Sequence, residues 1–124
     1  MNKIRPKHLA LHKIRLPLPA YVSILHRISG ALLFLVLPLL LAMLDQSLRS
    51  IETFTALAER LDHMLVKLFL TVILWAFLHH FFAGLRYLAI DLHLLPGLSG
   101  ARSSGRWVMV FSLTLTVVLG ARLW

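Results

Sequence analysis

The sequence predicts an all-α membrane protein with three transmembrane helices behind a basic N-terminal interfacial segment. Three observations carry this. Of the 124 residues, 59% are hydrophobic, well above the share in an ordinary soluble domain. The apolar residues fall into three runs, each long enough to approach the roughly 20 residues that cross a bilayer core of about 30 Å. Lys and Arg gather at the ends of those runs, as the positive-inside rule expects. Residues 1–124 read as one membrane-anchor domain, with a tail over 1–19 and helices over about 20–44, 64–90 and 107–124.

The tail carries Lys3, Arg5, Lys7, Lys13 and Arg15, and Pro6, Pro17 and Pro19 oppose a continuous helix. Leu9, Leu11, Ile14, Leu16 and Leu18 give it an apolar side suited to lying along the interface; a loose, lipid-attracted tail fits equally. The tail lacks a small-residue cleavage site, so it reads as retained. The net charge of +8 follows the membrane boundaries, which argues for lipid and against nucleic acid as the partner of the charge. Cysteine is absent, so this chain supplies no disulfide, thiolate metal site or iron–sulfur ligand.

The first helix starts near Pro19, which fits a first-turn position where its missing N–H is not needed. Pro38 lies inside it and is expected to kink it or loosen one turn. Ser23, His26 and Arg27 share one face at i, i+3 and i+4, and Gly30 continues it. That face presents a hydroxyl, an imidazole and a fixed positive charge just inside the boundary. Arg27 taken alone also fits a side chain that snorkels to the headgroups. The stretch from Asp45 to Asp62 holds Asp45, Glu52, Glu59 and Asp62, four of the five acids. It reads as a solvated loop with a short surface helix in its middle.

The second helix carries adjacent histidines, His79 and His80. Polar groups at membrane depth are costly and mark function by default. At helical spacing His80 shares a face with Ala76, Phe77, Ala83, Gly84 and Tyr87, while His79 points about 100° away. An imidazole among small residues and flat rings suits an axial ligand to haem iron. A histidine that hydrogen-bonds a neighbouring helix across a small-residue seam is the competing reading. The stretch Leu92–Arg106 contains Pro96, Gly97, Gly100, Ser103, Ser104 and Gly105 and reads as a connection. The third helix then runs from about Trp107 to Trp124, with a tryptophan at each end.

Three spans put the termini on opposite sides. The tail with Arg27 and the second connection with Arg86, Arg102 and Arg106 hold nine basic residues; the first loop and the C-terminus hold Arg49, Arg60, Lys67 and Arg122. The N-terminus is therefore expected in the cytoplasm and Trp124 opposite. His80 lies six residues before Arg86, about 9 Å deeper. A haem on His80 would lie toward the cytoplasmic side, its propionates within reach of His26, Arg27 or Arg86.

The segment Arg5-Pro6 … Ser23-Ile24-Leu25-His26-Arg27-Ile28-Ser29-Gly30 resembles the signature of the cytochrome b556 membrane-anchor subunits of succinate dehydrogenase (complex II). His80-x-x-x-Gly84-x-Arg86-x-x-x-x-Asp91 resembles the same family's second-helix motif, and the likeness covers nearly the whole chain. It implies a helix bundle formed with a second membrane-anchor subunit, in a complex with a flavoprotein subunit and an iron–sulfur subunit. It further implies a b-type haem shared by the two anchors, ubiquinone as electron acceptor and a bacterial inner-membrane location with a periplasmic C-terminus. By resemblance His80 is the axial haem ligand, Ser23 and Arg27 are quinone-site residues, and His26 and Arg27 lie near the haem propionates. His79 adjoins the matching histidine, and Tyr87 stands where the motif often has histidine. A fumarate reductase-type quinol anchor shares this architecture. A non-catalytic membrane scaffold would need none of the buried polar groups, and the chain lacks the repeats of a small transporter.

Overall fold

A computed structural model describes residues 15–95 and 97–124; the basic tail up to residue 14, with the interfacial role expected of it, lies outside the described residues, as does Pro96. The described chain is all-helical: α1 (Leu18–Arg49), α2 (Ile51–Leu61), α3 (Met64–Asp91) and α4 (Gly97–Gly120). Of these, α1, α3 and α4 are long and apolar enough to cross a membrane, which makes a three-helix membrane bundle with one short helix between its first two spans.

Helix α1 begins with Pro19 in its first turn, where a proline costs no hydrogen bond, and it continues without a break through Pro38. It stops at Ser50, whose extended backbone turns the chain. Ser50 also starts α2: its hydroxyl accepts from the Thr53 amide, and the Thr53 hydroxyl accepts from the Ser50 amide. This reciprocal pair satisfies donors that helix geometry leaves open. Before α3, the His63 ring accepts from the Leu65 amide. Lys67 pairs with Asp62 across this turn at 2.6 Å and holds the Asp62 carboxyl below the usual carboxylate range.

Helix α3 ends in a Schellman motif. The Leu94 amide donates to the Ala89 carbonyl and the His93 amide to that of Ile90, with His93 in the left-handed region at φ 58°. Glycine usually occupies that position; here a histidine does.

The expected connection over Leu92–Arg106 is far shorter than its composition suggests. Residues 97–106 are helical and open α4, so the third long helix starts ten residues before the expected Trp107. The glycines and serines there serve packing. A Cβ on Gly105 would stand 3.7 Å from Val22 and 3.9 Å from Leu18, so α4 approaches α1 closely at this point. Small residues permit such approaches between membrane helices.

Helix α3 packs along both α1 and α4, and α2 rests on α1 and, more lightly, on α3. The bundle centre is Val22, Ala83 and Val108, flanked by Phe82, Tyr87 and Met109. Buried hydroxyls are satisfied within their own helix: Ser112 donates to the Met109 carbonyl and Thr116 to that of Ser112. Most large apolar side chains, such as Phe34, Leu35, Phe77 and Val117, face outward. In water this would be an aggregation surface; in lipid it is the expected exterior.

Candidate functional site around His80

The antiparallel packing of α1 and α3 brings the two polar stretches of the sequence together. Ser29 and His26 of α1 meet His80 of α3. His80 Nδ1 lies 3.1 Å from the His26 carbonyl oxygen and 3.4 Å from the Ser29 hydroxyl. The Ser29 hydroxyl in turn donates to the same carbonyl at 3.0 Å. A carbonyl only accepts, so Nδ1 is the donor in this contact, and in the neutral ring that tautomer has its lone pair on Nε2.

Two further contacts fix the ring. The His26 imidazole stacks on that of His80 with centroids 4.2 Å apart and planes 7° from parallel, and Tyr87 leans on His26 at 5.2 Å. On α1, Gly30 lies directly against the His80 ring: a Cβ added there would stand 2.7 Å from Cε1 and 3.1 Å from Nδ1. Gly84 gives similar but looser room to His26, at 3.9 Å. The glycine in the first motif is therefore what admits the histidine of the second.

The two adjacent histidines have different surroundings. His79 is 0% exposed, packed in the bundle beside Trp75 at 5.4 Å between ring centroids. Among the described residues neither of its ring nitrogens has a hydrogen-bond partner. His80 is half-buried at the edge of the bundle where α1 and α3 meet. His79 is thus enclosed within the chain, whereas His80 reaches the bundle surface.

Of the other expected site residues, Ser23 is half-buried and Arg27 exposed, both on α1 within one turn of His26. Arg86 makes its hydrogen bonds to a different helix. It is only 7% exposed, and it faces α4: Nε donates to the Ser104 hydroxyl at 3.0 Å and one terminal nitrogen to the Ala101 carbonyl at 3.2 Å. Its guanidinium also sits 5.4 Å from the Tyr87 ring. It lies about 120° around α3 from His80 and is held by the neighbouring helix, so the structure does not gather it with His26 and Arg27.

Ser29 and Gly30 contact His80 and are the positions that reasoning from side-chain chemistry undervalued. Their signal was present as a hydroxyl and a missing side chain within one turn of His26. Among the described residues no group of three or more His, Asp or Glu side chains is arranged to hold a metal ion. The site presents one oriented imidazole, which is what a haem takes from each side.

Comparison with known proteins gives the family. Residues 1–119 match the family described as succinate dehydrogenase/fumarate reductase transmembrane subunit. The succinate dehydrogenase cytochrome b556 subunit of Coxiella burnetii is 40% identical over 125 residues, an alignment spanning the whole of both chains. The chain belongs to the succinate dehydrogenase/fumarate reductase transmembrane subunit family.

Proposed function

We propose that this chain is the cytochrome b membrane anchor of a succinate:ubiquinone oxidoreductase. It binds haem b between itself and a second anchor subunit and helps form the site where ubiquinone receives electrons from the iron–sulfur subunit. The observation that carries the reading is the His80 imidazole, with Nδ1 3.1 Å from the His26 carbonyl oxygen and its ring against Gly30. A histidine that ligates iron through one nitrogen almost always donates from the other, and that donation raises the basicity of the ligating nitrogen. The stack with His26 holds the ring plane.

When bound, the haem supplies a one-electron relay within the membrane. The chain's part is to present Nε2, keep the ring from rotating, and surround it with apolar helix faces. His26 and Arg27 remain the side chains suited to the haem propionates; Arg86 is committed to α4. Ser23 and Arg27 lie one turn apart on α1, where a hydroxyl can donate to a quinone carbonyl oxygen and a guanidinium can stabilise the negative charge that reduction develops there. The flavoprotein and iron–sulfur subunits would dock at the end of the bundle that carries Arg15, Arg27, Arg102 and Arg106, the cytoplasmic end in this reading, in a bacterial inner membrane.

The family description covers both directions of the reaction. The name of the Coxiella relative favours succinate oxidation over a fumarate reductase-type quinol anchor, and the Nδ1-bonded His80 favours a haem subunit over a scaffold. The test is a reduced-minus-oxidised spectrum of the assembled complex. His80→Ala is expected to lose the b-type signal and His79→Ala to retain it; a retained signal in His80→Ala would remove the assignment.

A further inference from the structure

We propose that Tyr87 is a positioning residue for the His80 imidazole: its ring clamps His26 from the far side and so sets the plane that His80 presents. The inference rests on the haem reading of His80 and extends it to a residue two helical turns away.

The clamp follows from spacing. His80 and Tyr87 are seven residues apart on α3, which places them about 20° apart around the helix and about 10.5 Å apart along it. That gap is filled from α1. The His26 ring stacks on His80 with centroids 4.2 Å apart and planes 7° from parallel, and it meets Tyr87 at 5.2 Å with planes 58° apart. Both are ordinary geometries for paired rings. Gly84 lies between the two on α3, and a Cβ there would stand 3.9 Å from His26 Nε2. Three rings from two helices therefore form one row beside a glycine.

Each member limits the next. The Nδ1 contact with the His26 carbonyl holds one edge of His80, and a ring held at one edge can still tilt. Gly30 limits that tilt on one side and the His26 ring on the other. His26 has room toward Gly84, so Tyr87 is what stops it from swinging away from His80. Tyr87 is itself backed by the bundle centre of Val22, Ala83 and Val108. Its ring also lies 5.4 Å from the Arg86 guanidinium, which α4 holds. All of these contacts are made by the Tyr87 ring, so a phenyl group would serve as well as a phenol. Partners beyond a ligating histidine commonly fix its orientation in this way.

The test uses the assembled complex with the haem oxidised, examined by electron paramagnetic resonance. In a low-spin ferric haem with imidazole ligands, the orientation of the ring planes splits the iron orbitals, and the largest g value reports it. Tyr87→Leu is expected to shift that value, and Tyr87→Phe to keep it at the wild-type position. Should Tyr87→Leu fail to assemble, Tyr87→Met removes the flat ring at similar volume and carries the same expectation. Phe82→Leu is the packing control. Phe82 also lies against the bundle centre but pairs with Phe111, so its loss should leave the g value unchanged. A shift in Tyr87→Phe as large as in Tyr87→Leu would transfer the role to the hydroxyl and overturn the proposal. An equal shift in Phe82→Leu would reduce the effect to a general loosening of the bundle and overturn it too, as would the absence of a shift in every Tyr87 variant. A wild-type haem signal that survives His80→Ala is a separate result, which removes the haem reading and this inference with it.

Discussion

At the scale of single residues, the His80 ring has three constraints: a donor contact at Nδ1, a stacked neighbour and a glycine beneath it. The glycine is the easiest to perturb. Gly30→Ala would bring a methyl group to 2.7 Å from Cε1, well inside van der Waals contact, and the ring cannot yield freely because His26 covers its other side. The expected result is a b-type spectrum that is shifted or lost in assembled complex, whereas Gly84→Ala, with its nearest contact at 3.9 Å, should leave the spectrum in place. Equal spectra for the two variants would show that Gly30 has no part in seating the ring. Arg27 is tested through turnover. Arg27→Ala should slow succinate–quinone turnover by roughly 10²-fold, the usual loss for one preorganised electrostatic donor, while succinate oxidation by an artificial acceptor upstream of the quinone persists. A wild-type ratio of the two rates would leave Arg27 as a snorkelling side chain. Much of this site was legible from residue chemistry, because an imidazole, a hydroxyl and a guanidinium are visible as letters. The seat under His80 was harder to read, because a glycine contributes by what it lacks and its partner is 50 residues away. The bonds of Arg86 to α4 were hidden for a related reason: its sequence neighbourhood gives its depth, but only packing shows which helix it faces.

At the scale of elements, the boundaries of α1 and α3 were close to the reading from hydropathy, and the start of α4 was not. Gly97, Gly100, Ser103, Ser104 and Gly105 are turn formers in water. Between membrane helices the same residues allow close approach, and here Gly105 meets Val22 and Leu18 while the Ser104 hydroxyl accepts a hydrogen bond from Arg86. Composition alone cannot distinguish the two uses, since the deciding partner lies on another helix. The end of α3 was obscured in the opposite way, because His93 does what glycine usually does. A non-glycine residue in the left-handed region is disfavoured by about 1–2 kcal/mol, partly offset by the extra freedom glycine has in the unfolded chain. His93→Gly should therefore raise the melting temperature of the assembled complex slightly, and His93→Val, β-branched at the same φ, should lower it. The reverse order would mean that the side chain of His93 makes a contact worth more than the backbone strain.

At the scale of the whole molecule, the basic residues sort by end. Arg15, Arg27, Arg86, Arg102 and Arg106 share one end of the bundle, and Arg49, Arg60 and Arg122 the other. By the positive-inside rule this asymmetry predicts a cytoplasmic N-terminus and a periplasmic Trp124. A reporter active only in the periplasm should work when fused after Trp124 and fail at the N-terminus; the opposite pattern would invert the bundle and move the His80 site to the other face.

The bonds of Arg86 also set an order for the chain's manufacture. Its acceptors, the Ser104 hydroxyl and the Ala101 carbonyl, belong to the helix synthesised after its own. While α3 leaves the ribosome, the guanidinium has among the described residues no hydrogen-bond acceptor on α1 or α3, and a charge at that depth resists lateral release into lipid. Only when α4 follows are its donors satisfied. The last two spans are therefore expected to insert as a pair: a nascent chain halted before Gly97 should leave α3 less well integrated than the full chain, as read by extraction of the stalled chain from membranes.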